Sequence, residues 1–326
     1  MSEHDTDVRA ARADMGDDIV LPFTVERLNL RGRIAHLGPA VDAVVRQHAY
    51  PEPVARLLGE MLALTALLGT TLKVEGKLIA QTQTDGPVRL LVADFTAPGY
   101  IRGLARFDEE AVRAAMEGGE TTPEALLGSG QLVFTLDQGP HTRRYQGMVA
   151  LSGSLQQAAE EYFRQSEQIP TRLRLAAGPL VDESGTHWRA GALMIQHLPP
   201  ASGAEEDAQR RKAQNEDDWN TAQALFDTLE DQELLDPAIS PERLAYRLFH
   251  EHDVRVFDPV AVQFRCGCSR EGLLAVLRRF SREELQEMVE DDGRIHARCE
   301  FCAITYTFAL EELMQGKAQG QSEGEA

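Results

Sequence analysis

Hydrophobic positions along this chain switch repeatedly between a helical and a strand-like period. In residues 51–73, PEPVARLLGEMLALTALLGTTLK, the positions Val54, Leu57, Leu58, Met61, Leu64, Thr65 and Leu68 recur at spacings of three and four. That period predicts an amphipathic helix with one face on a core. The next stretch, KLIAQTQTDGPVRLLVADF, holds two β-rich runs on either side of Asp85-Gly86, a pair that favours a hairpin. GQLVFTLDQGPHTRRYQGMVAL repeats the arrangement around Gln138-Gly139-Pro140, and TRLRLAAGPLVDESGTHWRAGALMIQHLP does so around Glu183-Ser184-Gly185. Ser154 with Gln157 reads as a capping box opening a helix over Ala158–Gln168, which Pro170 ends. Antiparallel strand pairs with helices between them predict an α+β domain rather than a doubly wound sheet.

After a polar acidic tail at 1–18, this pattern fills an N-terminal domain at 19–200 and then breaks. Between Ala201 and Asp236 stand eleven acidic residues and three basic ones. Trp219, Ala222, Phe226 and Leu229 nevertheless keep helical spacing there, with Leu225, Leu234 and Leu235 close by. A helix that is apolar on one side and crowded with like charge on the other is expected to fold only while docked. Residues 201–260 are therefore expected to form a metastable acidic helical linker, although pattern alone favours an ordinary inter-domain helix.

Composition narrows the chemistry. The four cysteines of the chain, Cys266, Cys268, Cys299 and Cys302, all fall within residues 261–312, ahead of a polar tail at 313–326. In a reducing compartment such a cluster reads as a metal or redox site rather than a disulfide framework. The polar N-terminus and the short apolar stretches point to a cytoplasmic protein without membrane attachment. The formal net charge of −19 weighs against a nucleic-acid partner. No Walker loop or Gly-x-Gly-x-x-Gly follows a strand, and Ser152 and Ser154 lack a base that the sequence could place beside them, so no enzyme activity is expected. Two cysteine doublets thirty residues apart supply four thiolates, a closed tetrahedral zinc shell that leaves no catalytic position open. One Zn(2+) per chain is expected. Ser269 and Ser281, the latter with Glu284, are placed to start two helices between the doublets. The apolar content is too low for a unit this small to stand by burial alone, so the metal should supply the difference. The first doublet is Cys-x-Cys, at which spacing oxidation gives a strained, reducible ring, so loss of metal by oxidation should unfold the unit.

With these residues in place the chain resembles the redox-regulated holdase chaperone family Hsp33. The likeness covers nearly the whole sequence and is most specific in the two doublets; it is carried also by HAYPEPV (48–54), TDGPVRL (84–90), RYQGMVAL (144–151), EEYFRQSEQIPTRL (160–173) and LFHEHDVRVFDPVAVQFRCGCSRE (248–271). The resemblance implies that Cys266, Cys268, Cys299 and Cys302 bind zinc in a reduced, poorly active state. It implies that oxidation pairs Cys266 with Cys268 and Cys299 with Cys302, that the linker then loses order, and that a homodimer holds unfolding client proteins without ATP. Trp219, Phe226, Leu229, Leu234 and Leu235 are the candidate client-binding residues. Two expectations compete: a permanent zinc module that docks one fixed protein partner and never oxidises, and a zinc-stapled enzyme of the main domain, whose polar pocket of converging titrating residues the sequence does not show.

Overall fold

The computed structural model describes residues 17–72, 76–138, 144–198 and 208–314. The elements of the first unit run β1 (Ile19–Val25), β2 (Leu30–Leu37), α1 (Pro39–Arg46), α2 (Glu52–Gly69), β3 (Lys77–Thr84), β4 (Val88–Thr96), β5 (Tyr100–Phe107), α3 (Glu109–Gly118), α4 (Pro123–Leu127), β6 (Gly130–Asp137), β7 (Tyr145–Leu151), α5 (Leu155–Tyr162), β8 (Thr171–Asp182) and β9 (Gly185–His197). They continue through α6 (Ala208–Phe226), α7 (Asp231–Leu235), α8 (Pro241–Phe249), β10 (Val254–Val256), β11 (Val260–Ala261) and β12 (Gln263–Phe264). The second unit, from Arg265, holds α9 (Arg270–Leu277), α10 (Arg282–Glu287), β13 (Arg294–Arg298), β14 (Thr305–Ala309) and α11 (Leu310–Met314). This is the mixed α+β architecture expected.

The β3–β4 and β8–β9 hairpins turn where Asp85-Gly86 and Glu183-Ser184 stand. β6 pairs with β7 as expected, while the turn at Gly139-Pro140 lies outside the described residues. Ser154 and Gln157 form the reciprocal capping box, but the helix is followed by a short π-helical turn over Phe163–Glu167. Strands β10-β1-β2-β9-β8 make one antiparallel sheet, with β11 also on β1. Strands β12-β5-β4-β3-β6-β7 make the other, β12 joining β5 in parallel.

Helix α2 departs from the amphipathic expectation. From Val54 to Gly69 nearly every residue is buried, because β4 covers one side and β8 and β9 cover the other. A helix covered on nearly every side must be apolar over most of its surface, and the charged residues of α2, Glu52, Arg56 and Glu60, are the ones left exposed or partly covered. It approaches the first sheet where Gly59 faces Ala177 and Ala190, and the second where Gly69 lies under Phe95, places with no room for larger side chains. The buried Thr65 hydroxyl donates to the Met61 carbonyl at 2.7 Å, which removes the penalty of an unpaired polar group.

The first unit continues to Phe264 and takes three of its strands from beyond residue 253. Val262, assigned by sequence to the cysteine-bearing region, packs in the main core. Asp17 and Asp18, assigned to a tail, are structured: the Asp18 carboxylate accepts from the Gly38 and Ala40 amides at 2.8 and 2.9 Å and so caps α1. Burial pushes its carboxyl up to about 6. At the other end α11 reaches Met314 and buries Leu313. The remainder of both tails, and residues 199–207, lie outside the described residues.

The outer face of the first sheet carries a second core. Phe23, Val25, Leu30, Ile34, Ala176, Leu193 and Ile195 meet Ala222, Phe226, Leu229 and Leu234 of the acidic segment, with Leu244, Leu248 and Phe249 of α8. α7 is seated closely. A Cβ built on Gly191 would fall on the Leu234 carbonyl oxygen. The His36 ring donates to that carbonyl, its Nε2 is buried without a partner among the described residues, and Arg189 donates to the Leu235 carbonyl at 2.7 Å.

Two outcomes test this seat. Gly191→Val should displace α7 and make residues 227–240 cleavable at low protease concentration; a cleavage pattern matching the parent would contradict the close approach. Burial, then the Arg189 charge, lowers the His36 pKa below its usual value, against smaller opposing pulls from Asp17, the Leu234 carbonyl and Asp236. Protonation therefore disfavours the folded state in which His36 is buried, and the stabilisation present above about pH 6.5 should decline as pH falls. Hydrogen-exchange protection of α7 should drop between pH 7.5 and 5.5, and less so in His36→Gln; an equal drop in both would remove His36 as the cause.

Candidate metal centre

The second unit buries few side chains. Among the described residues its core is Leu277, Leu285, Ile295, Phe308 and Leu313, with Leu273, Phe280 and Tyr306 partly covered around it. Its local signals are strong by contrast. The Ser269 hydroxyl accepts from the Gly272 amide at 3.0 Å, and Ser281 and Glu284 form a complete capping box. Gly293 takes the left-handed conformation that turns the chain into β13, which pairs with β14 from Arg294↔Ala309 to Arg298↔Thr305. Arg270 lies over the Phe308 ring at 4.7 Å and grips Glu312, closing one side of the small core.

All four cysteines converge. Each offers its sulfur to one cluster, and the four Sγ atoms lie within 4.8 Å of one another. Cys266 to Cys299 is 3.7 Å and Cys268 to Cys302 is 3.3 Å. Cys266 and Cys268 lie on the loop before α9, whereas Cys299 and Cys302 lie in a tight turn after β13. In that turn the Ala303 amide donates to the Cys299 carbonyl at 2.8 Å and the Cys299 amide donates to the Ile304 carbonyl at 2.9 Å. Ala303 adopts φ 55°, the left-handed region that closes the turn. Cys302 is buried and the other three are partly exposed.

The electrostatics of the cluster follow from crowding. Burial pushes the Cys302 thiol up, and contact with Cys268, Cys299 and Cys266 pushes it further, while the Ile304 amide donates to its sulfur and opposes this. Tyr306, whose hydroxyl is 3.4 Å from the Cys268 sulfur, is pushed up to about 12, mainly by that contact. Four sulfurs this close cannot all ionise beside one another, but a cation among them would stabilise every thiolate at once. The four residues could therefore hold a metal ion. Tyr306 was not singled out from sequence: it lies on β14 opposite Ala297 of β13, and local pattern does not reveal that pairing.

The five apolar residues singled out in the acidic segment also come together. Phe226, Leu229 and Leu234 are fully buried in the second core, and Trp219 and Leu235 pack at its margin, Trp219 stacking on His197 at 5.4 Å. The arginines that meet this segment were missed. Arg172 pairs with Asp227 at 2.5 Å and Arg174 with Asp231 at 2.6 Å. The alternation in TRLRL, which puts both arginines on one face of β8, was the available signal.

Comparison with known proteins agrees with this arrangement. The model of the family described as Hsp33 protein matches residues 18–309. The chain belongs to the Hsp33 family. It is 46% identical over 292 residues to the 33 kDa chaperonin of Caulobacter vibrioides (strain NA1000 / CB15N), covering 89% of this chain and 94% of that protein. It is 33% identical over 295 residues to the 33 kDa chaperonin of Photobacterium profundum, covering 90% of this chain and 93% of that protein. The crystal structure of the 33 kDa chaperonin (heat shock protein 33 homolog) from Thermotoga maritima shares the fold, with a TM-score of 0.73 at 23% identity over 93% of this chain and 99% of that one. Membership of this family supports a chaperone role, and no described helix is long and apolar enough to cross a membrane.

Cys299→Ser should strip hydrogen-exchange protection from β13 and β14 in reduced, metal-supplied protein while leaving β8 and β9 as they were. Retained protection in β13 and β14 would show that the small core stands without the cluster.

Proposed function

We propose that the chain is an ATP-independent holdase switched by thiol oxidation, with no enzymatic turnover of its own. The observation that carries this reading is the convergence of all four sulfurs within 4.8 Å in a unit with so small a core. In the reduced state Cys266, Cys268, Cys299 and Cys302 hold one zinc ion. A zinc ion there compensates four thiolates and ties the loop before α9 to the turn after β13. Bonds of about 2.3 Å would set sulfurs about 3.8 Å apart in a tetrahedron; Cys266 to Cys299 is 3.7 Å and Cys268 to Cys302 is 3.3 Å. Apparent binding energies of about 10–16 kcal/mol for structural zinc exceed what five buried side chains leave after the entropy of ordering.

Oxidation by a peroxide removes two electrons per sulfur pair, forms one S–S bond in each and reduces the oxidant to water. We assign the pairs as Cys266 with Cys268 and Cys299 with Cys302, since within each doublet chain connectivity keeps the partners near after the unit loosens. Sulfurs so bonded no longer serve as thiolate ligands, and the unit loses its tie. Phe264 of β12 is two residues from Cys266, so the loosened chain begins where β10, β11 and β12 fasten the end of the acidic segment to the two sheets. Release of that segment exposes Trp219, Phe226, Leu229, Leu234 and Leu235 together with the sheet face beneath them. Exposed apolar surface binds unfolding proteins, and acidic flanks keep the complex soluble. The oxidised form acts as a homodimer, in the cytoplasm, without nucleic acid or membrane.

Reduced protein should carry one zinc per chain and suppress little aggregation of a heat-unfolded protein. Peroxide at raised temperature should release the ion, form two disulfides and switch suppression on. Zinc retained through that treatment would favour a permanent module docking a fixed partner, and disulfides between the doublets would overturn the pairing.

A further inference from the structure

The face uncovered in the proposed switch is not simply apolar. On the outer side of the first sheet the β8–β9 register sets Arg172 beside Ile195 and Arg174 beside Leu193. The β9–β2 register continues those rows to Gly32 and Ile34, and the β2–β1 register to Phe23 and Leu21, with Val256 of β10 beyond Phe23. Each row therefore has a cation at the β8 edge and apolar groups across the middle. The docked segment, FDTLEDQELL from Phe226 to Leu235, is complementary to this pattern: four acidic residues, no basic one, and four large apolar side chains. Arg172 pairs with Asp227 and lies over the Phe226 ring at 5.6 Å, Arg174 pairs with Asp231, and Arg189 holds the Leu235 carbonyl.

We propose that the acidic segment is a built-in stand-in for the client, and that the uncovered face prefers unfolded stretches in which apolar residues alternate with Asp or Glu. This rests on the holdase reading and specifies its substrate class. Undocking takes Asp231 from Arg174 and Asp227 from Arg172, which among the described residues keeps the more distant Glu160 at 3.7 Å. A client with acidic side chains restores those pairs, whereas a basic client sets like charges together along the β8 edge. The tethered segment competes at high effective concentration, so clients gain access only after its far end is loosened.

The test uses oxidised full-length protein and three labelled synthetic peptides: the sequence of residues 226–235, the same with Asp227→Asn and Asp231→Asn, and the same with Asp227→Lys and Asp231→Lys. Fluorescence anisotropy at low salt should give the acidic peptide an affinity about fivefold above the neutral one, from two partly exposed ion pairs, and the lysine peptide the weakest. The preference should shrink at about 0.5 M salt, and in Arg172→Gln/Arg174→Gln. Equal affinity for all three peptides overturns the inference, and so does a preference that neither salt nor the double variant reduces. Aggregation suppression measured on the same sample separates the two readings. Suppression without charge preference defeats this inference alone, and absence of both suppression and peptide binding defeats the holdase reading with it.

Discussion

Four sulfur atoms that share one small space are stable as thiolates only when a cation shares it with them. Every other property of the second unit is arranged around that constraint. Its helices are well capped and its hairpin well paired, but these are local gains of about a kilocalorie each and do not replace a core. The five apolar residues of its core, among the described residues, are too few to hold the loop before α9 against the turn after β13. In the proposed switch this closing contact, made of reactive sulfur, holds in one redox state and not in the other.

The first unit has the opposite character. α2 is enclosed by both sheets, and the core around it is continuous from Val20 to Val262. The outer face of the first sheet, by contrast, is covered by a segment that is strongly acidic and held by close backbone contact at Gly191, by His36 and Arg189, and by partly exposed ion pairs. Such pairs are individually weak. The buried Phe226, Leu229 and Leu234 carry most of the docking, and in the proposed switch it is this cover that separates from the sheet.

Sequence revealed what local chemistry decides. The turns at Asp85-Gly86 and Glu183-Ser184, the caps at Ser154, Ser269 and Ser281, and the grouping of four thiols all depend on residues near one another in the chain. The helical spacing of Trp219, Ala222, Phe226 and Leu229 also predicted that something covers them. What covers them was not legible, because Arg172 and Asp227 are brought together by sheet registers that no local pattern encodes. Strands β10, β11 and β12 have three, two and two residues, too short for alternation to show. The near-complete burial of α2 was hidden for a related reason: its second apolar side is explained only by a sheet built from distant segments.

In the proposed switch, loss of the sulfur cluster undocks the acidic segment while the two-sheet core persists. Hydrogen exchange on the full chain, compared between the reduced zinc-loaded form and the oxidised zinc-free form, addresses it most directly. The account predicts that protection disappears together from residues 265–314 and from α6, α7 and α8, and remains in α2 and in β3 through β9. Protection that persisted in α7 and α8 after the second unit had lost its own would contradict it.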